Sequence, residues 1–234
     1  MSRNVVVTGA NRGIGLEFAR QWLARGERVI ATCRRPGKAT ELNALAGEHP
    51  GRLRVLPLDV TDPDARAELV AELPLVLDED VHIDLLINNA GVLHSGERFG
   101  QLRQTTLEDS LHVNAIAPLL LTQALAPRLA DGAKVVNISS QLGSITNVTR
   151  FGAPSYAISK AAQNMATAQL ARALATRGIV VLALHPGWVQ TAMGGPQATD
   201  APTDAVAGML RVIDDVTLEQ SGGFFDWRGE RLPW

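Results

Sequence analysis

Cysteine is almost missing from this chain. The single thiol, Cys33, rules out an internal disulfide. Placed at the end of an apolar run, it reads as a strand residue rather than a nucleophile, and it suits a reducing compartment. Long hydrophobic stretches are missing too: no apolar run approaches the ~18 residues of a membrane span. The first apolar run begins so soon after Met1 that it leaves no room for a leader peptide. Neither sign of charge is in excess. The formal net charge is −2, with 20% charged and 46% hydrophobic residues, so neither nucleic acid nor a membrane surface is implied as a partner. The expectation is a cytoplasmic protein. His49, His82, His94, His112 and His185 lack the close spacing of metal ligands, so no metal is expected. Two glycine signatures are also lacking. Without Gly-Lys-Ser/Thr there is no phosphate loop of the phosphoryl-transfer kind, and without Gly-x-Ser-x-Gly there is no nucleophile elbow to make Ser140 and His185 a hydrolase.

What is present begins at Val5-Val-Val-Thr-Gly9-Ala-Asn-Arg-Gly13-Ile-Gly15. Three β-branched residues predict a short buried strand, and the glycines fall where the apolar period changes to that of a helix. Without a Cβ, Gly9 can turn tightly, Gly13 lets backbone approach a ligand, and Gly15 lets the helix lie against the strand. A helix starting near Ile14 would aim free amides and its positive end at a phosphate or pyrophosphate.

The remaining chain, 234 residues in all, fits one α/β domain over residues 1–234. Ile14, Phe18 and Trp22 recur at helical spacing, up to a helix-ending Gly26. Strands are expected at 28–33, 53–58, 85–87, 135–139 and 179–184, with a short one at 223–227. Helices are expected at 38–46, closed by Gly47, and from Pro63 into Pro74. A long one opens on a Thr106/Asp109 capping box and runs to about Leu129, and another spans about 155–175. Such alternation implies right-handed βαβ units, hence a Rossmann-type, doubly wound parallel sheet with helices on both faces. Ligands bind such sheets at the carboxyl ends of the strands. Thr8, Arg34, Asp59, Asn88, Asn89, Ser139, Ser140 and His185 should therefore share one cleft.

The catalytic candidate is the pair Tyr156 and Lys160, four apart at a helix start and so on one face. Tyr156 is the only tyrosine in the chain. A free phenol titrates near ~10, and a neighbouring ammonium would lower that value. The pair follows a strand ending in Ser139-Ser140, whose hydroxyl can hold a substrate carbonyl that the tyrosine protonates.

Together these motifs make the chain resemble the short-chain dehydrogenase/reductase family over essentially its whole length. Thr8-Gly9-x-x-x-Gly13-x-Gly15 looks like the family's cofactor turn, Asn88-Asn89-Ala90-Gly91 like its fourth-strand motif, and Asn114, Ser140, Tyr156 and Lys160 like its catalytic tetrad. The resemblance implies carbonyl reduction by hydride transfer from a nicotinamide, with a small carbonyl compound as substrate. Tyr156 would be the proton donor, Ser140 would hold the oxygen, and Lys160 would lower the tyrosine pKa and touch the nicotinamide ribose. Asn114 would anchor a water beside Lys160. It also implies that Gly9, Asn11, Arg12, Gly13, Ile14 and Gly15 hold the cofactor's phosphates. Asp59 and Val60 would meet the adenine, and Pro186, Gly187 and Thr191 the nicotinamide side; Asn89, Ala90, Gly91 and Val189 would also bind the cofactor. Cys33-Arg34-Arg35 replaces the acid that would take the ribose hydroxyls of NAD, so NADP is preferred over NAD. Within the family, the His185-to-Thr191 stretch and the Gly222-to-Trp234 tail look like the sniffer and C-factor carbonyl reductases. Ser140 and Tyr156 stand further apart than the family's usual gap, and the short loop after Pro186 suggests an open pocket with Trp188 and Met193 as apolar walls. Homodimers or homotetramers through the helices bearing Asn114 and Tyr156 would follow the family pattern. The rival reading is a nucleotide-binding signalling or sensor protein of the same fold; the complete tetrad favours the enzyme.

Overall fold

The computed structural model describes residues 2–77 and 82–234. Its sheet contains, among the described residues, seven strands: β1 (Asn4–Thr8), β2 (Arg28–Cys33), β3 (Leu53–Pro57), β4 (Ile83–Asn88), β5 (Leu129–Ile138), β6 (Val180–His185) and β7 (Phe224–Asp226). They lie in the order β3-β2-β1-β4-β5-β6-β7, all parallel. The order reverses between β1 and β4, and that reversal opens a crevice above their carboxyl ends.

Alternation of side chains along each strand divides the apolar residues between two cores. Val5, Val7, Leu85 and Ile87 face helices α1 (Gly13–Ala24), α2 (Thr40–Glu48) and the last helix, Pro202–Asp215. Val6, Leu86, Val135 and Val181 face helices α3 (Pro63–Leu77), Ala117–Leu125 and Pro154–Leu174. With both faces covered, the middles of the central strands, Val5 to Val7 and Leu85 to Ile87, are continuous apolar runs. Phe18 and Trp22 are fully buried in the first core. Each large side chain so buried contributes roughly 1.5–3 kcal/mol.

Several boundaries differ from the sequence expectation. The long helix is three pieces: α4 (Gln104–Leu111), a π-helical turn over His112–Ile116, and α5 (Ala117–Leu125). The Thr106/Asp109 capping box is absent because the helix starts two residues earlier, at Gln104, which places Thr106 inside it; Asp109 pairs with His94, 2.7 Å away. Residues from Leu129 onward belong to β5, whose pairing jumps from Ile83 with Leu129 to Leu85 with Lys134; Gly132, at φ 78°, lies within the bulge. Gly47 lies inside α2, and Pro74 lies inside α3, which continues to Leu77. Two further α-helices are α6 (Pro154–Leu174) and α7 (Pro202–Asp215). Among the described residues no helix is long and apolar enough to cross a membrane.

Candidate active site

The β1–α1 turn is shaped by contacts that leave no space for side chains. Gly9 has φ 64°, and a Cβ there would stand 2.9 Å from the Cα of Ala90. A Cβ on Gly15 would stand 2.5 Å from both Asn89 Nδ2 and the Gly9 carbonyl oxygen. The turn after β4 is thereby packed onto the turn after β1, and hydrogen bonds fix it there. The amides of Asn89 and Ala90 each donate to the Thr8 hydroxyl at 3.0 Å, and Asn89 Nδ2 donates to the carbonyls of Thr8 (2.8 Å) and Gly9 (3.2 Å). Arg12, at the helix N-cap, makes no side-chain cap, and the first turn of α1 carries no acid. The amides there suit an anion from outside the chain.

Above the sheet's reversal lies an open cleft of about 810 Å³. Gly9, Asn11, Arg12, Gly13, Ile14, Gly15, Arg34, Asp59, Val60, Asn89, Ala90, Gly91, Ser140, Tyr156, Lys160, Pro186, Gly187, Val189 and Thr191 all line it. Arg34 reaches it from the end of β2, where no carboxylate stands. Asp59 follows β3. Burial disfavours its charge, but the Thr61 hydroxyl and amide, with Arg34 and His112 nearby, hold its carboxyl below the usual range. Thr61 Oγ1 donates to Asp59 Oδ1 at 2.7 Å.

At the other end, α6 carries Tyr156 and Lys160. Its start is defined by Ala153 in the left-handed region, φ 43°, then Pro154 in the first turn. Glu97 closes it: Oε2 accepts from the amide of Ser155 (3.2 Å) and from its hydroxyl (2.7 Å). The loop after β5 packs so tightly on α6 that a Cβ on Gly143 would lie 2.8 Å from the Lys160 carbonyl carbon. Ser140, carried on that loop, lines the cleft with Tyr156 despite the long sequence gap between them, and its Oγ accepts from the Leu142 amide at 3.2 Å. Burial nevertheless pushes the phenol up to about 12, Ser140 opposing it. Burial also lowers the Lys160 ammonium to about 7. Lys160 Nζ lies 5.6 Å from the Tyr156 ring centre and donates to the Ile138 carbonyl (2.7 Å) and to Gln163 Oε1 (2.9 Å). The expected lowering of the tyrosine by the lysine is not seen: burial raises the phenol, and Ser140 is the group that opposes it.

Not every predicted residue reaches the cleft. Asn114 is fully buried behind it, on the π-helical turn; its Nδ2 donates to the Val92 carbonyl and to Ser159 Oγ, both at 2.9 Å, and its Oδ1 accepts from the Val92 amide at 2.8 Å. Thr8 and Asn88 are spent on internal hydrogen bonds, Asn88 with Thr122 and Asn137. His185 is buried beneath the loop, its ring driven down to about 4 by burial, with Asp226 and Asp200 opposing. Ser139 lines the cleft, but its hydroxyl donates to Asn164 Oδ1 at 2.6 Å. Sequence reasoning missed Asp109, His112, Leu142 and Gln190, which also line the cleft, and Gln163 beneath it. Of these, only the position of Gln163, one turn beyond Lys160 on the same helix face, was readable in advance. Among the described residues no group of His, Cys, Asp and Glu could hold a metal ion.

Residues 3–202 match the family model for short chain dehydrogenases. C-signal of Myxococcus xanthus is 45% identical over 154 residues, 65% of this chain and 93% of that protein. The NADPH-bound carbonyl reductase from chicken fatty liver superposes with a TM-score of 0.94 at 39% identity, covering 100% of this chain and 99% of the other. The carbonyl reductase Sniffer of Drosophila melanogaster superposes at 0.95 with 32% identity, covering 100% of each.

Proposed function

This chain belongs to the short-chain dehydrogenase/reductase family, with its likeness on the sniffer and C-signal side, and on that premise we propose that it reduces an aldehyde or ketone to an alcohol with NADPH. The observation that carries the reading is the convergence of Ser140, Tyr156 and Lys160 at one end of the cleft whose other end holds the glycine turn and Arg34. The cleft's residues fit the dinucleotide. Gly9, Gly13 and Gly15 leave room for a pyrophosphate at the uncapped start of α1. Arg34 with Arg12 offers charge-assisted bonds to a 2′-phosphate, and Val60 and Asp59 flank the place for adenine. Bound there, NADPH supplies the hydride that adds to the carbonyl carbon.

The chain's own groups then handle the oxygen. A phenol held protonated far above neutral pH is an acid, so Tyr156 donates its proton as negative charge develops on the carbonyl oxygen. Ser140, beside Tyr156 in the cleft, holds the same oxygen and orients it. Lys160 steadies the phenolate left behind. Leu142, Trp188 and Met193 line the open side and are 45%, 50% and 47% exposed, and no cationic side chain stands among them. An uncharged, largely apolar carbonyl compound suits these walls. The likeness to C-signal supports a second reading, a signalling protein that binds NADP without useful turnover. A cytoplasmic setting keeps Cys33 reduced under either reading.

The test is NADPH and NADH oxidation, followed at the nicotinamide absorbance, against a panel of aldehydes, ketones and quinones, with Tyr156→Phe beside the unaltered protein. Turnover that prefers NADPH and drops about 10³-fold in the variant is expected. Tight NADPH binding with no carbonyl reduced by either protein would replace the enzyme with the signalling reading.

A further inference from the structure

Lys160 is a buried cation with no counterion. Its ammonium is 4% exposed as part of its residue, and it forms no salt bridge among the described residues. The titratable and charged groups sharing the cleft with it are Tyr156 on α6, Asp109 on α4, His112 on the π-helical turn, Asp59, Cys33 and Arg34 at the strand ends, and Arg12 in the glycine turn. None of them is a hydrogen-bonding partner of Nζ. β5 presents the Ile138 carbonyl, the segment after β4 presents Gly91, and the π-helical turn presents the Asn114 amide, already committed to Val92 and Ser159. The side-chain acceptor that does meet the ammonium is Gln163 Oε1, at 2.9 Å and itself 1% exposed. The backbone carbonyl of Gln163 accepts from Thr167 Oγ1, one turn further along α6, at 2.9 Å.

We propose that Gln163 is a positioning residue: its side-chain carbonyl holds the Lys160 ammonium protonated and pointed toward Tyr156. The physical reason is the sign of the interaction. A buried ammonium loses hydration, and each acceptor aimed at it favours the charged form. The Ile138 carbonyl is fixed by the strand; Gln163 is the part of this arrangement that substitution can change. A neutral amide is suited to the task. An apolar residue would leave the ammonium with one acceptor, and a carboxylate would capture it as an ion pair and cancel the charge that Tyr156 is placed beside. The proposal rests on Tyr156 and Lys160 being the proton-handling pair.

The chain has three lysines, Lys38, Lys134 and Lys160, so the Cε signals of lysine labelled with carbon-13 can be titrated one by one in the cofactor-free protein, with Lys160→Met identifying the Lys160 signal. In the unaltered protein Lys160 should titrate near neutrality. In Gln163→Met, which keeps length and removes the acceptor, its midpoint should fall by roughly one pH unit. In Gln163→Glu it should rise by roughly two or more. A fall in Gln163→Met supports the proposal, because an amide that only fills space leaves the midpoint in place when its acceptor is removed; the rise in Gln163→Glu checks that the signal responds to this position. An unchanged midpoint in Gln163→Met overturns it. If Gln163→Met does not fold, Gln163→Leu, which also lacks the acceptor, takes its place. Carbonyl reduction measured alongside separates the two readings. A fall in Gln163→Met with reduction indifferent to Tyr156→Phe would keep the positioning role and remove the catalytic pair, whereas an unchanged midpoint there with reduction abolished by Tyr156→Phe would do the reverse.

Discussion

At the Gly9–Gly15 end the cleft is cut out of backbone, whereas at the Ser140–Lys160 end it is assembled from buried side chains. The first end excludes side-chain atoms: carbons added at Gly9 or Gly15 would fall within 3 Å of Ala90, Asn89 or the turn's own carbonyl. The second depends on functional groups taken out of water, with a phenol driven up to about 12 and an ammonium down to about 7 by burial. A backbone cradle binds phosphates with dipoles that need no titration. A proton-handling site must instead hold ionisable groups where their charged forms are costly. The two ends should therefore fail in different ways when altered, and that difference can be measured.

The largest effect is expected from Gly15→Val. Its side chain must displace Asn89, which joins the turns after β1 and β4, so stability should drop by about 3 kcal/mol in urea unfolding and NADPH binding should be lost with it. Full stability and binding in this variant would break the comparison at its first term.

The backbone end was also the more legible in the sequence. Glycine spacing after a valine run has few causes, so Gly9, Gly13 and Gly15 could be placed in a turn from their residue type alone. Tyr156 and Lys160 were legible through helical spacing. The π-helical turn was not, because no local propensity separates His112–Ile116 from the helices on either side of it. Nor was the start of β5: Ala130 to Ala133 join the sheet through a bulge that depends on the register with β4. The Thr106/Asp109 capping box was misplaced because the helix opens two residues ahead of Thr106, at Gln104, and Asp109 meets His94, which only tertiary structure brings within reach. Thr8, Asn88 and His185 sit at strand ends as expected but turn inward. Topology placed their backbones at the cleft; it did not decide which way their side chains point.

Arg34→Glu sharpens the cofactor half of the comparison. Replacing the cation at the end of β2 by a carboxylate should weaken NADPH about 100-fold while leaving NADH within a few-fold. The ratio of kcat/KM for the two cofactors reads this directly, and equal losses for both would mean that Arg34 does not meet a 2′-phosphate. A smaller change is expected from Trp188→Ala. The indole is half exposed and tied back by its Nε1, which donates to the Gly194 carbonyl at 2.8 Å. Removing this wall should raise KM for an apolar ketone about tenfold, with kcat nearly unchanged.

The smallest effect separates the two ends most directly, because only one end should depend on pH. Lys160 titrates near 10.5 in an unfolded chain and at about 7 in the fold. Below pH 7 both states carry the proton, and the fold bears the whole cost of the buried charge. Between those two values the unfolded chain binds a proton that the fold does not, so stability rises with pH. Tyr156 sets the upper limit: its phenol, at about 12 in the fold and 10.0 when free, ionises first in the unfolded chain, so its contribution falls above pH 10. Lys160→Met removes the first term. It also leaves the Ile138 carbonyl and Gln163 Oε1 without their donor, a loss that does not vary with pH. The criterion is therefore the slope: the melting temperature of Lys160→Met minus that of the unaltered protein should be most positive near about pH 6 and decline by a few degrees toward about pH 9. Gly15→Ala, at the backbone end, should show a constant difference over the same range. A flat line for Lys160→Met would mean that the buried lysine is not a titrating cation, and the contrast between the two ends would rest on shape alone.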